Sequence, residues 1–285
     1  MLNNNYRLYQ SELDMDLGLK GKNVLVTGAT GGIGLVTVRK FIEEGAFVIA
    51  HYHHNTAEAE RLQHEYSLSI LTLGADLSDE IQVQEMFTTI SQKVGKIDIL
   101  VCNAGIWPKT DETVAQMSFK RWKRTQAVNL DSVFLCCRAF FHQLQTQIRE
   151  SANIILIGST AAIFGEAGHL DYSASKAALT YGFTKTLKNE IVKYARLGRV
   201  NTICPGWVKT PMSEDALADT KGVKKVLQTI PMRKIAQAED IALSILSLAS
   251  DVLSGHISGE ILTVAGGMEG RILFSPTEID LDAAF

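Results

Sequence analysis

Tyr172 and Lys176 stand four residues apart, and Ser159 precedes the tyrosine by thirteen. On a helix, a four-residue offset puts two side chains on one face, a turn apart. An ammonium beside a phenol favours the phenolate, which lets the tyrosine exchange a proton near neutral pH. A free phenol titrates at about 10, and bringing it to about 7 takes about 4 kcal/mol of differential stabilisation. One close cation in a partly desolvated pocket supplies much of that. Ser159 closes the β-forming run Asn153-Ile-Ile-Leu-Ile-Gly158, so its hydroxyl is expected at the carboxyl end of a strand. Open α/β sheets place their ligands there.

A second chemical feature lies near the amino end. Asn23-Val-Leu-Val26 reads as a short buried strand running into Thr27-Gly28-Ala29-Thr30-Gly31-Gly32-Ile33-Gly34. A helical segment follows from Leu35 to Glu44 and ends at Gly45. Glycines allow a sharp turn and close approach to a phosphate, and the next helix offers free N–H groups at its positive end. The spacing Gly28, Gly32, Gly34 differs from the G-x-G-x-x-G fingerprint of many dinucleotide sites. Taken alone, the turn also fits a tight βα connection that packs glycine against a neighbouring strand.

Together these motifs resemble the short-chain dehydrogenase/reductases, over roughly Leu19 to Gly267. The glycine turn is similar to that family's Thr-Gly-x-x-x-Gly-x-Gly cofactor loop, which implies cofactor contacts from Gly28, Thr30, Gly32, Ile33 and Gly34. Asp76 and Leu77, after the third strand, match the position that contacts adenine. Asn103, Ala104 and Gly105 match the element after the fourth strand, with Cys102 where a first asparagine is usual. Pro205, Gly206, Val208 and Thr210 match the loop that holds the nicotinamide carboxamide. The resemblance implies a catalytic set of Asn129, Ser159, Tyr172 and Lys176. In that scheme Tyr172 trades a proton with the carbonyl oxygen while hydride moves to or from carbon, and Ser159 positions that oxygen. Lys176 tunes the tyrosine and binds the nicotinamide ribose, and Asn129 holds a water behind the lysine. For Asn129 the reading as a polar helix residue satisfying a backbone group stays open.

The second strand bears on which nicotinamide is used. An acidic residue at its end pairs with the adenine ribose hydroxyls and repels a 2′-phosphate. Here it reads Ala46-Phe-Val-Ile-Ala-His51-Tyr52-His53-His54-Asn55, with no carboxylate, so NADP(H) is favoured over NAD(H). Gly31 stands where many NADP-dependent relatives carry a basic residue, leaving His51, Tyr52 and His53 as candidate phosphate partners. No carboxylate or cysteine joins the histidines, so no metal site is expected.

Composition sets the frame around these sites. The chain has 285 residues and a net charge of −3, which with the lack of a basic cluster argues against a nucleic-acid partner. No apolar run approaches the roughly twenty residues of a membrane helix, and the start has no signal-peptide core. The four cysteines lack metal-ligand spacing and read as buried, reduced thiols of a cytoplasmic protein. Strands are expected near 22–27, 46–51, 69–74, 97–102, 153–159, 199–204 and 260–264, and helices near 32–44, 56–66, 79–94, 115–148, 172–195 and 238–250. This alternation predicts an α/β fold, a single Rossmann-type doubly wound parallel sheet of about seven strands flanked by helices. Residues 1–18 read as an amino-terminal extension, 19–267 as the one domain and 268–285 as a tail that covers the site, docks on a second subunit or stays disordered. The resemblance further implies a homodimer or homotetramer through the two long helices, with Phe183, Leu187 and Ile191 fitting an interface or an internal core equally.

The expected partner is a small carbonyl or alcohol substrate, met by the segment Met212 to about Ile235 as an amphipathic lid and by the loop Ile163 to Asp171. Gly165-Glu-Ala-Gly-His169-Leu170 and Ile230-Pro-Met-Arg233 resemble the 3-oxoacyl carrier-protein reductase branch. The leading expectation is an enzyme; the alternative is a catalytically silent nucleotide-binding regulator or scaffold on the same fold.

Overall fold

A computed structural model describes residues 16–285, so most of the expected amino-terminal extension lies outside the described residues. In chain order the elements begin β1 (Asn23–Val26), α1 (Gly32–Glu43), β2 (Phe47–Tyr52), α2 (Thr56–Glu65), β3 (Ile70–Gly74), α3 (Glu80–Lys93) and β4 (Ile99–Cys102). The chain continues through α4 (Phe119–Gln126), α5 (Ser132–Thr146), β5 (Asn153–Ile157), α6 (Ala161–Phe164), α7 (Leu170–Ala177), α8 (Thr184–Ile191) and β6 (Arg199–Pro205). It finishes with β7 (Val208–Lys209), α9 (Glu214–Ala218), α10 (Thr220–Leu227), β8 (Ala236–Gln237), α11 (Ala238–Ala249), α12 (Asp251–Ser254) and β9 (Ile261–Val264).

Seven strands pair in parallel in the order β3-β2-β1-β4-β5-β6-β9, as expected for a doubly wound sheet. The order reverses between β1 and β4, which opens a crevice above their carboxyl ends. Strand residues alternate between two cores, as a period of two requires. Val24, Val26, Val48 and Val101 face Val38 and Phe41 of α1 and Ile241 and Ile245 of α11. Leu25, Ile49, Leu100 and Leu156 face Ile90 of α3 and Phe140 and Leu144 of α5. Burial on both sides explains the unbroken apolar runs in the strands.

The two long helices differ from the expected spans for local reasons. The first begins at Phe119, where the Ser118 hydroxyl accepts from the Arg121 N–H and caps it. A π-helical stretch, Ala127–Asp131, joins α4 to α5, and another, Ala178–Phe183, joins α7 to α8. Such wide turns are common at functional sites.

Beyond β7 the chain forms a third, smaller core. Val223, Leu227, Ile230 and Ile235 bury against Ile279 and Ala284 of the tail. The Gln228 side-chain amide donates to the Phe274 carbonyl at 2.6 Å, and the Ile235 N–H donates to the Ala284 carbonyl at 2.9 Å. The tail therefore folds back along α10 within its own chain.

Candidate active site

The glycine turn leaves β1 through Gly28, whose φ of 64° lies in the left-handed region. A Cβ there would stand 3.0 Å from the Ala104 Cα, so the turn closes tightly onto the loop after β4. Thr27 and Asn103 tie the two loops together. The Thr27 hydroxyl accepts from the Asn103 and Ala104 N–H groups, and the Asn103 amide donates to the Thr27 and Gly28 carbonyls. Above them runs a cleft of about 770 Å³, lined at this end by Gly28, Thr30, Gly31, Gly32 and Ile33. A cradle that tight against backbone, opening onto the first turn of α1, fits a dinucleotide pyrophosphate.

Three residues expected to touch cofactor sit differently. Gly34 is inside α1, where a Cβ would stand 2.2 Å from the Gly28 carbonyl oxygen, so it packs helix against turn instead of lining the cleft. His51 reaches the cleft wall, but both ring nitrogens are engaged. Its Nδ1 accepts from the Gly28 N–H at 3.1 Å, which leaves Nε2–H to donate to the Ala75 carbonyl at 3.0 Å. Burial pushes this imidazole down to about 4, so it stays neutral and supports the turn without offering charge to a phosphate. Tyr52 alternates away from His51 and covers Gly74 on β3, outside the cleft lining.

The exposed partners at this end are His53, His54 and Asn55. The two imidazoles stack with centroids 3.5 Å apart. Asp76 and Leu77 also line the cleft, and the Ser78 hydroxyl donates to the Asp76 carboxylate at 2.7 Å, holding it below the usual carboxylate range. Sequence reading missed His54 and Asn55, although both continue the loop it had marked.

At the other end stand Ser159, Tyr172 and Lys176. Ser159 follows β5 as expected, and its hydroxyl accepts from the Ala161 N–H at 3.1 Å. The Lys176 ammonium donates to the Ile157 carbonyl at 2.8 Å and lies 5.8 Å from the centre of the Tyr172 ring. Desolvation outweighs the expected lowering of the phenol: burial pushes Tyr172 up to about 12 against a hydrogen bond with Ser159, and Lys176 down to about 8. The phenol therefore holds its proton at neutral pH and can give it to an acceptor oxygen.

Asn129 is buried in the first π-helical stretch, outside the cleft lining. Its side chain accepts from the Ile106 N–H at 2.8 Å and donates to the Ile106 carbonyl at 2.9 Å and the Ser175 hydroxyl at 3.3 Å. This is the backbone-satisfying geometry, and it locks the loop after β4 to α7. Pro205, Gly206, Val208 and Thr210 line the cleft between the two ends, beside Asn103, Ala104 and Gly105.

The family model described as enoyl-(acyl carrier protein) reductase matches residues 28–269. A solved structure from Brucella melitensis, a short-chain dehydrogenase/reductase named as glucose/ribitol dehydrogenase, superposes with a TM-score of 0.80 at 27% identity, covering 90% of this chain and 99% of that one. The chain belongs to the short-chain dehydrogenase/reductases. The 3-oxoacyl-[acyl-carrier-protein] reductase of Synechocystis sp. is 33% identical over 88% of this chain and 98% of its own length. The corresponding Thermotoga maritima reductase is 34% identical, and an acetoacetyl-CoA reductase from Allochromatium vinosum is 35% identical over 86% of this chain and 97% of its own length. This short-chain dehydrogenase/reductase is an NAD(P)(H)-dependent enzyme that interconverts a carbonyl and a secondary alcohol by hydride transfer. The relatives named are reductases or dehydrogenases, and none supports the regulatory alternative. No helix among the described residues is long and apolar enough to cross a membrane.

Beyond Ser159 the cleft of this reductase is walled by Trp107, Phe164, Glu166, Trp207, Met212 and Met268. Sequence reading marked the segments holding Phe164, Glu166 and Met212, but not Trp107, Trp207 or Met268 as lining residues. Their signal was adjacency: Trp107 lies two residues past Gly105, and Trp207 follows Gly206.

Proposed function

We propose that this enzyme is an NADPH-preferring reductase of a 3-oxoacyl-type carbonyl substrate. The observation that carries the reading is the single cleft with the glycine turn at one end and Ser159, Tyr172 and Lys176 at the other. A bound nicotinamide supplies the hydride. The residues of the chain do the rest. The glycine turn and the first N–H groups of α1 hold the pyrophosphate, and Asp76 and Leu77 border the adenine. Pro205 to Thr210 frame the nicotinamide. Tyr172, protonated at neutral pH, gives its proton to the carbonyl oxygen that Ser159 holds in place. Lys176 is fixed by the Ile157 carbonyl beneath the tyrosine, and Asn129 positions the loop that both ends share.

Preference for NADPH rests on the absence of a carboxylate at the end of β2 and on the exposed pair His53 and His54, which can donate to a 2′-phosphate. The relatives' names support a 3-oxoacyl substrate. We further infer one catalytic domain over residues 19–267 with 268–285 as its strap, a homodimer or homotetramer, and a cytoplasmic setting for its four buried, unpaired cysteines.

Titration with NADPH and NADH, followed by nicotinamide fluorescence, tests the cofactor; tighter NADH binding would reverse the assignment. Acetoacetyl-CoA reduction then tests the chemistry. Tyr172→Phe is expected to lower kcat by about 10² to 10⁴ with NADPH affinity retained.

A further inference from the structure

Glu166 is the one carboxylate lining the Ser159 and Tyr172 end of the cleft among the described residues; Asp76 belongs to the opposite end. It follows Gly165, whose φ of 74° turns the chain out of α6 and back toward the cleft. The indole N–H of Trp107 donates to both carboxylate oxygens, at 3.1 and 3.3 Å. Trp107 is fixed in turn by stacking on the buried His169 ring, with centroids 4.8 Å apart, and by an edge contact with Trp207 at 6.2 Å. His169 is oriented by the Pro108 carbonyl, 2.7 Å from its Nε2.

One N–H shared by two oxygens leaves most of the carboxylate's accepting capacity unused. The nearest ring nitrogen, Nδ1 of His169, stands 3.7 Å away, beyond hydrogen-bond distance, and carries no hydrogen while Nε2–H donates to the Pro108 carbonyl. The neighbouring walls of Trp107, Phe164, Trp207, Met212 and Met268 bring few donors, and the glutamate side chain is only 28% exposed. Desolvation raises its pKa, the mark of a carboxylate short of partners. A held, half-satisfied acceptor in an aromatic cleft is suited to a donor carried by a ligand.

We propose that Glu166 is a specificity-determining residue that accepts a hydrogen bond from a donor on the carbonyl substrate, whose apolar part lies against Trp107, Trp207 and Phe164. This rests on the reductase reading above and deepens it. The donor is either the amide N–H of a pantetheine-like thioester arm or a hydroxyl on a ring ketone. A site built around such a bond rejects the analogue that lacks it, because its own polar group is then left unpaired.

Two matched pairs separate the sources: the N-acetylcysteamine thioester of acetoacetate against its S-butyl thioester, and 4-hydroxycyclohexanone against cyclohexanone. Wild type, Glu166→Gln and Glu166→Leu are compared by kcat/KM with NADPH, and NADPH affinity by fluorescence reports whether each variant is folded. Wild type is expected to prefer the donor-bearing member of one pair by about tenfold or more. That pair names the source. The preference shrinks in Glu166→Gln and disappears in Glu166→Leu, chiefly through KM, with NADPH affinity unchanged. Equal turnover within both pairs, or a preference that survives Glu166→Leu, overturns the assignment and leaves the reductase reading standing. NADPH binding with no turnover of any of the four carbonyls overturns both.

Discussion

Single residues were legible where spacing alone fixes geometry. The four-residue offset of Tyr172 and Lys176 and the strand-end place of Ser159 put all three on one cleft. His51 and Tyr52 were not legible in this way, because adjacent strand residues point to opposite faces, and composition does not say which face meets the ligand. His51 turned inward to hold Gly28, and this carries a pH dependence. Its folded pKa of about 4 lies below the ordinary imidazole value of about 6.5. Between these values the unfolded chain binds a proton that the folded chain refuses. Its contribution to stability is therefore complete above pH 6.5 and is lost as the pH falls toward 4. By pH 5 the loss amounts to about 2 kcal/mol from this residue. Urea unfolding at pH 7 and pH 5 is expected to show that loss in wild type, and a smaller one in His51→Asn. Equal losses in the two proteins would show that His51 does not carry the acid sensitivity.

At the scale of elements, the strands were readable because burial on both faces writes them as short apolar runs between glycines. The π-helical joints were not, since a widened turn of five or six residues leaves no compositional trace in helices already rich in apolar residues. Gly34 shows how an element's packing serves the site. A methyl group at this position meets the Gly28 carbonyl at 2.2 Å, and backbone cannot rotate away as a side chain can. Gly34→Ala is expected to destabilise the protein by about 1 to 3 kcal/mol and to weaken NADPH binding, read by thermal melts and fluorescence titration. The tail is a second such case. Its end, Ile279-Asp-Leu-Asp-Ala-Ala-Phe285, mixes apolar and acidic residues without saying what it covers, because the answer depends on α10, itself only a lid in the sequence. Ending the chain at Arg271 removes Ile279 and Ala284 from the third core. Losing a buried isoleucine costs about 2 kcal/mol locally, so amides of Thr220–Leu227 are expected to exchange roughly thirtyfold faster. The KM for carbonyl should rise because Val226 of α10 lines the cleft, whereas NADPH affinity should hold. Unchanged exchange in α10 would remove the strap from the account.

For the whole molecule, strand–helix alternation was enough to give a doubly wound parallel sheet with its site at the strands' carboxyl ends, while the strand order came from the structure. Assembly needs more than pattern, because an apolar helix face reads the same whether it meets its own sheet or a second copy. The structure divides the candidates. Ile191 is wholly buried in the core, whereas Phe183 and Leu187, with Phe134 and Phe141, border a groove of about 620 Å³ between α5 and α8. Phe134 remains 49% exposed, and the Arg138 guanidinium sits 5.3 Å above its ring, the aromatic and arginine pairing that anchors many interfaces. Self-association through this groove is therefore expected to depend on Phe134. Light scattering after size exclusion should give wild type a multiple of the 31.3 kDa chain mass. Phe134→Glu should move the population toward 31.3 kDa at micromolar concentration, since loss of a central aromatic costs about 2 kcal/mol or more, roughly thirtyfold in dissociation constant. The substitution is at a surface position, so an unchanged melting temperature at high dilution would show that the chain still folds. An unaltered mass with that fold intact would place the interface elsewhere, and a monomeric wild type would remove it.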